Sequence, residues 1–220
     1  MKTMRLKTLL GTLAVLALLL PALVPGSAEA KAPIAAKLSP EDREDLQRIE
    51  TYLNDIRTFS SPFLQMASDG SQSKGSIAIS RPGQMRIEYD PPVPLLIVGG
   101  KGSMVVYDKE LEQANYIPTE QTPIGVLLRA QIRLGGDLTV TRLERGASVL
   151  RLTLAKSNDL EGGSVTLIFD DRPLQLRQWV VIDPQSVETK VSLLDPKQGG
   201  AIDPKLFEFT PPARKRGGKE

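Results

Sequence analysis

The chain has 220 residues, with no cysteine and no histidine. Disulfides, thiol chemistry and Ser-His-Asp catalysis are therefore excluded, and the commonest zinc ligand is missing. Its 28 basic and 26 acidic side chains nearly cancel, so there is no basic footprint for nucleic acid.

Residues 1–30 read as an export signal. Lys2, Arg5 and Lys7 precede an apolar run from Leu9 to Leu20, and Ala28-Glu29-Ala30 fits a small-x-small cleavage site. That run is shorter than the roughly 20 residues a membrane span needs. Cleavage near Lys31 would leave 25 basic and 25 acidic side chains, a neutral, soluble domain. No cysteine stands at the cleavage site, so lipid attachment there is excluded. One domain is the natural expectation at this length.

Residues 31–38 form an Ala- and Pro-bearing leader that is expected to be mobile. Ser39 then suits an N-cap, with Pro40 at the first helical position and acidic residues in the first turn. Leu46, Ile49, Leu53 and Ile56 follow at helical spacing, which predicts one apolar stripe along an amphipathic helix.

After Ser60-Ser61, read as a break, the chain turns to strands. They are predicted at 62–69, 75–80, 84–90, 94–98, 103–108 and 112–117. A short helix is predicted at about 123–129. Further strands are expected at 138–145, 148–155, 163–170, 174–182 and 187–194. Ile77 and Ile79, then Met85, Ile87 and Tyr89, alternate with small or polar residues, Arg86 and Glu88 among them. This is the period of a half-buried antiparallel sheet. Arg81-Pro82-Gly83, Asp90-Pro91-Pro92 and Gly99-Gly100-Lys101-Gly102 mark turns, and Gly162-Gly163 and Arg172-Pro173 read as tight connections. The acidic pair Asp170-Asp171 could be catalytic, but strand neighbours point to opposite faces and the following Arg-Pro favours a turn.

About eleven strands, each with one apolar face, make a sheet roughly 50 Å wide at ~4.8 Å per strand. One helix of ~10 Å diameter cannot cover that width. The sheet must curl and shield itself. Patterning alone leaves open whether the interior is packed or hollow.

The ordered set Gly75-x-Ile77-x-Ile79-x-Arg81-Pro82-Gly83, Arg86-Ile87-x-Tyr89, Pro92, Ile97-Val98, Tyr107-Asp108 and Glu112-Gln113-Ala114 resembles the LolA family of periplasmic lipoprotein carriers. So do Thr122 to Arg129, Gly199 to Phe207 and Phe207-Glu208-Phe209-Thr210-Pro211-Pro212. The resemblance runs from the helix near residue 41 to Pro212, giving a carrier domain over 39–212. It implies an α+β fold, mainly β: an unclosed, strongly curved antiparallel barrel with a helical lid and a hollow interior. It also implies a periplasmic, non-enzymatic, monomeric carrier needing no cofactor or metal. Its partners would be outer-membrane lipoproteins, bound by their acyl chains, an inner-membrane ABC-type release complex and an outer-membrane receptor. The alternative is a lipoprotein-sensing envelope regulator of the same fold.

By resemblance, Arg81 holds the empty carrier closed by bonding lid carbonyls, with Leu53, Leu127 and Leu128 marking the elements it grips. The candidate acyl-binding wall is Ile77, Ile79, Met85, Ile87, Leu96, Val98, Leu152, Leu154, Leu167, Phe169 and Val180. Met85 stands where the family has an aromatic rim residue that contacts the release complex. Gly125 replaces a bulkier residue and suggests a looser lid. The basic tail at 213–220 (Arg214, Lys215, Arg216, Lys219) is expected to be solvated and disordered.

Overall fold

The computed structural model describes residues 34–210. The expected signal segment, leader residues 31–33 and the basic tail lie outside them. Helix α1 spans Pro40–Asp55. Ser39 caps it as anticipated: its hydroxyl accepts from the Asp42 amide at 3.1 Å while the Asp42 carboxylate accepts from the Ser39 amide at 2.8 Å. Leu46, Ile49, Leu53 and Ile56 are all buried. Just upstream, the Ala36 amide donates to the Val140 carbonyl at 2.8 Å, and Ala36 and Leu38 pack on the core. This part of the leader is tied down rather than free.

Twelve strands follow: β1 (Thr58–Ala67), β2 (Gln72–Ser80), β3 (Gln84–Tyr89), β4 (Leu95–Gly100), β5 (Ser103–Asp108), β6 (Gln113–Pro118), β7 (Leu138–Arg145), β8 (Val149–Lys156), β9 (Asp159–Asp170), β10 (Gln175–Ile182), β11 (Glu188–Leu193) and the short β12 (Lys197–Gln198). They form one antiparallel sheet in the order β6-β5-β4-β3-β2-β1-β11-β10-β9-β8-β7, with β12 beside β1. Strands β6 and β7 are consecutive in sequence yet lie at opposite ends. The sheet is an unclosed barrel, and the segment between those strands must travel from one edge to the other. It contains two 3-10 helices, Thr119–Gln121 and Pro123–Leu128, where one short helix was predicted.

Strand β12 was not predicted, β2 begins three residues early, and the starts of β1 and β9, each four residues earlier than expected, differ most. Strand β1 begins at Thr58, because Ser60 and Ser61 pair with Ala78 and Ile77 while Phe59 turns into the core. Gly162-Gly163 lies inside β9 and not in a hairpin turn. The β8–β9 register jumps there from Lys156–Asp159 to Ala155–Ser164, so the residues between bulge from the ladder.

The concave face is aliphatic, with Phe59, Phe63, Phe169 and Trp179 added. Phe63 and Tyr89 meet edge to face at 5.3 Å, and Tyr52 of α1 meets Phe169 likewise at 5.8 Å. Strand β10 has a bulge between Leu176 and Gln178 that lets both Leu176 and Trp179 face inward.

Candidate functional site

Two covers lie over the concave face: α1, and the segment from Thr119 to Leu134. The Arg81-Pro82-Gly83 turn joins β2 to β3 where the covers meet. Gly83 has φ +81°, a backbone state that suits glycine, and its amide donates to the Leu128 carbonyl at 2.7 Å. Arg81 is buried beside it, 8% exposed. From the C-terminal end of α1 it takes the carbonyl of Leu53 and that of Ile56, the residue just past the helix, the latter at 3.0 Å. Across the gap its Nε and Nη2 donate to the Arg129 carbonyl at 2.8 and 2.6 Å, and Nη2 lies 3.4 Å from the Ala130 carbonyl. Nη2 also lies 3.4 Å from the Asn54 side-chain oxygen. One guanidinium thus ties α1 to the second cover, mainly through main-chain acceptors.

The Leu53 contact matches the sequence reading, but the second grip falls on Arg129 and Ala130. Leu127 and Leu128 instead supply buried side chains to the core. No carboxylate lies within ion-pair distance of Arg81 among the described residues. Burial, with the positive charge of Arg57 adding to it, pulls this guanidinium below its ordinary pKa.

The sequence reading missed Asn54 and Glu50. The Asn54 amide group donates to the Ile132 carbonyl at 2.8 Å, while its oxygen accepts from the Ile132 amide at 2.9 Å. The Glu50 carboxylate accepts from the Leu134 amide at 2.7 Å. Both sit one helical turn apart on α1, where they read as ordinary polar-face residues; only the chain that comes to lie against them gives them a task. At the other end of α1, Asp45 accepts from Arg145 at 2.5 Å and from Arg48 at 2.7 Å, and Arg48 reaches Asp171 at 3.0 Å. Asp170 pairs with Arg177 at 2.6 Å. The two neighbouring carboxylates therefore have separate cationic partners; Asp170 closes β9 and only Asp171 enters the turn.

Of the proposed wall, Ile77, Ile79, Met85, Leu152, Leu154, Leu167 and Phe169 are core residues, and Ile87 packs against them half-buried. Leu96, Val98 and Val180 are corrected. Val98 pairs with Arg86 and Leu96 with Glu88, which puts both on the convex face. Phe207 is buried there too, Tyr107 meets Phe209 at 5.2 Å, and Arg86 donates to the Leu206 carbonyl at 3.2 Å. Val180 pairs with Lys190 and Thr166. The inward residues are Leu95, Ile97, Trp179 and Val181. Both errors fall in unbroken apolar runs, where a period of two leaves no trace.

The expected hollow is also corrected. Beneath Arg81 only about 20 Å³ is free, bounded by Leu53, Ile56, Phe59, Ile79, Leu127, Ile132, Leu176 and Trp179. That is space for about one water. With the covers closed, their own side chains fill the interior. Nor is Gly125 a source of slack. It is buried, and a Cβ there would overlap the Thr119 carbonyl oxygen, so glycine permits a tight approach.

The family model described as "Outer membrane lipoprotein carrier protein LolA" matches residues 54–210. The chain belongs to the LolA family. An outer-membrane lipoprotein carrier protein of Azotobacter vinelandii is 28% identical over 195 residues, 81% of this chain and 91% of that one. One from Methylococcus capsulatus is 28% identical over 76% of this chain and 83% of its own. A solved LolA superfamily protein of Nitrosomonas europaea aligns over 74% of this chain and 97% of its own, with 11% identity and a TM-score of 0.41.

Proposed function

We propose that this chain carries lipoproteins across the periplasm, taking them from an inner-membrane release complex of the ABC type and passing them to a receptor at the outer membrane. Two observations about its family support this: the relatives bear the carrier name, and the match covers most of the chain. One observation about its own geometry carries it. Arg81 is a buried cation held by main-chain carbonyls and the Asn54 side-chain oxygen, with no carboxylate partner among the described residues, and it joins two covers over an aliphatic interior.

That arrangement is poised between states. Each hydrogen bond to a charged group contributes about 1.5–3 kcal/mol, while desolvating an ion without a counter-charge costs several. The hydrogen bonds and the desolvation cost oppose each other, so Arg81 contributes less to the closed form than its number of bonds implies. Opening returns Arg81 to water and uncovers the core side chains.

Acyl chains then replace α1 and the second cover as partners of the sheet. Three chains of about fifteen carbons hide roughly 36 kcal/mol of apolar surface at ~0.8 kcal/mol per methylene. Non-covalent affinity saturates near 18–21 kcal/mol, so such cargo is held by partial shielding and remains transferable. Aliphatic walls suit this because they impose no direction. No bond is made or broken in the cargo, and no helix among the described residues is long and apolar enough to cross a membrane.

The test is a release assay. Inner-membrane vesicles bearing a release complex and a labelled lipoprotein are incubated with the mature protein and ATP. A 1:1 complex with label should appear in the supernatant, and addition of outer-membrane receptor should remove the label. Arg81→Leu should still load yet hand over at least about fivefold more slowly, because the closed form no longer competes. Label that stays in the vesicles with active complex would refute the carrier reading.

A further inference from the structure

One free edge of the sheet is not left loose. Arg145 is the last residue of β7, and its guanidinium reaches back to the first turns of α1. Its Nε donates to the Asp45 carboxylate at 2.5 Å, and Nη1 lies 3.0 Å from the Asp42 carboxylate. Asp45 is buried, 7% exposed, and its other oxygen accepts from Arg48 at 2.7 Å. Arg48 in turn holds Asp171, in the turn between β9 and β10, at 3.0 Å. Two cations and three carboxylates from α1, β7 and that turn thus form one network. An isolated surface pair contributes little, but a network built on a buried carboxylate is a firmer tie. The leader touches the same edge, through the Ala36 amide on the Val140 carbonyl.

The other end of α1 is fixed as well. Only Ile56 and Arg57 separate it from β1, and the Arg81 amide donates to the Arg57 carbonyl at 2.8 Å. Between its ends, Tyr52 meets Phe169 of β9 and accepts from the Leu176 amide of β10 at 2.9 Å. Strand β1 is the middle of the sheet and β7 is one end of it, so α1 crosses half of the barrel. A 16-residue helix is a stiff rod about 24 Å long at ~1.5 Å per residue. With both ends tied, it fixes the separation of β7 from β1. The Arg81 side chain works elsewhere: it joins α1 to the second cover and shares no acceptor with Arg145.

We infer that Arg145 is a second closure, separate from Arg81: its clasp on Asp45 and Asp42 sets how far β7 can move from β1, and so limits how many acyl chains the interior admits. The inference rests on the carrier reading and adds to it a residue that selects cargo by size. Arg81 governs whether the covers part. Arg145 governs how wide the sheet opens beneath them.

The test uses the mature protein, in which introduced thiols are the only ones, since the chain has no cysteine. Glu41 lies 3.9 Å from Arg145 and takes no part in the Ser39 cap. Glu41→Cys/Arg145→Cys is either bridged by a bismaleimide, which makes the clasp permanent, or capped by N-ethylmaleimide, which leaves it open. Synthetic lipopeptides with one, two or three palmitoyl chains on an N-terminal cysteine are titrated, and the complexes are counted by native mass spectrometry. The bridged form should bind the one-chain peptide as the capped form does, and the three-chain peptide at least about tenfold more weakly. Spin labels at Met66→Cys in β1 and Arg142→Cys in β7, both exposed, report the separation of the two strands. Arg145→Gln should broaden it toward longer distances, and Arg81→Leu should leave it unchanged. Equal affinity of the bridged and capped forms for the three-chain peptide would overturn the inference. So would an equal loss for all three peptides, which marks mere damage to the fold, or a separation that ignores Arg145→Gln. Failure of the wild-type protein to bind any peptide would overturn the limit on cargo. Uptake in the release assay judges the carrier reading independently, so that reading can stand where the clasp falls.

Discussion

At the scale of single residues, Arg81 and Gly125 make opposite demands. Arg81 is costly where it sits and is kept by its acceptors. Replacing it by Leu removes a buried charge and leaves the Leu53, Ile56 and Arg129 carbonyls without their donor. Those effects oppose each other, so global stability should change by less than about 2 kcal/mol while amide exchange at 129–134 rises by about tenfold or more. Hydrogen-exchange mass spectrometry with a denaturation curve separates the two. Gly125 has no such compensation. Gly125→Ala drives a methyl into the Thr119 carbonyl and should cost about 1–3 kcal/mol, seen as a Tm lower by about 3–10 °C.

At the scale of elements, the second cover is stapled to α1 by Asn54 and the C-terminal segment to the convex face by Arg86. Asn54→Ala leaves the Ile132 amide and carbonyl without partners. Opening of this cover should become easier by about 1–3 kcal/mol, read as faster exchange confined to 129–134. The second staple depends on pH. Lys109 and then Arg86 hold the Glu88 carboxyl below its ordinary value of 4.5. A lowered folded value means the contribution is complete above pH 4.5 and fades as pH falls through the depressed value. Protection at Leu206–Phe209 should decline on acidification below about pH 4.5, and Glu88→Gln should remove that dependence.

Elements also show what a reader of the sequence could see. The capped helix and its stripe were legible because Ser39-Pro40 and the spacing of Leu46, Ile49, Leu53 and Ile56 are local signals. The inward faces of β2 and β3 were legible because Arg86 and Glu88 interrupt the apolar residues. Leu95–Val98 and Trp179–Ile182 offered no such interruption, and the β10 bulge shifted the phase further. Arg81 could be picked out, but its acceptors at Arg129 and Ala130 are backbone groups, which no side chain announces. Packing of the interior depends on how deeply the covers descend, and that is a tertiary quantity.

For the whole molecule, loading should register at Trp179, which is 3% exposed and borders the void. A lipoprotein with brominated acyl chains, delivered in the release assay, should quench most of its fluorescence, and transfer to the receptor should restore it. Unchanged emission in a loaded complex would mean the chains bypass the interior.

The two sheet edges, β6 and β7, never pair. A sealed barrel has its girth dictated by strand number and stagger. A strip with free margins has no such constraint, and can flatten or roll tighter without severing any ladder bond. On the carrier reading the same scaffold would adjust its calibre to the bulk it wraps, and should accept cargoes whose fatty moieties differ in number and length.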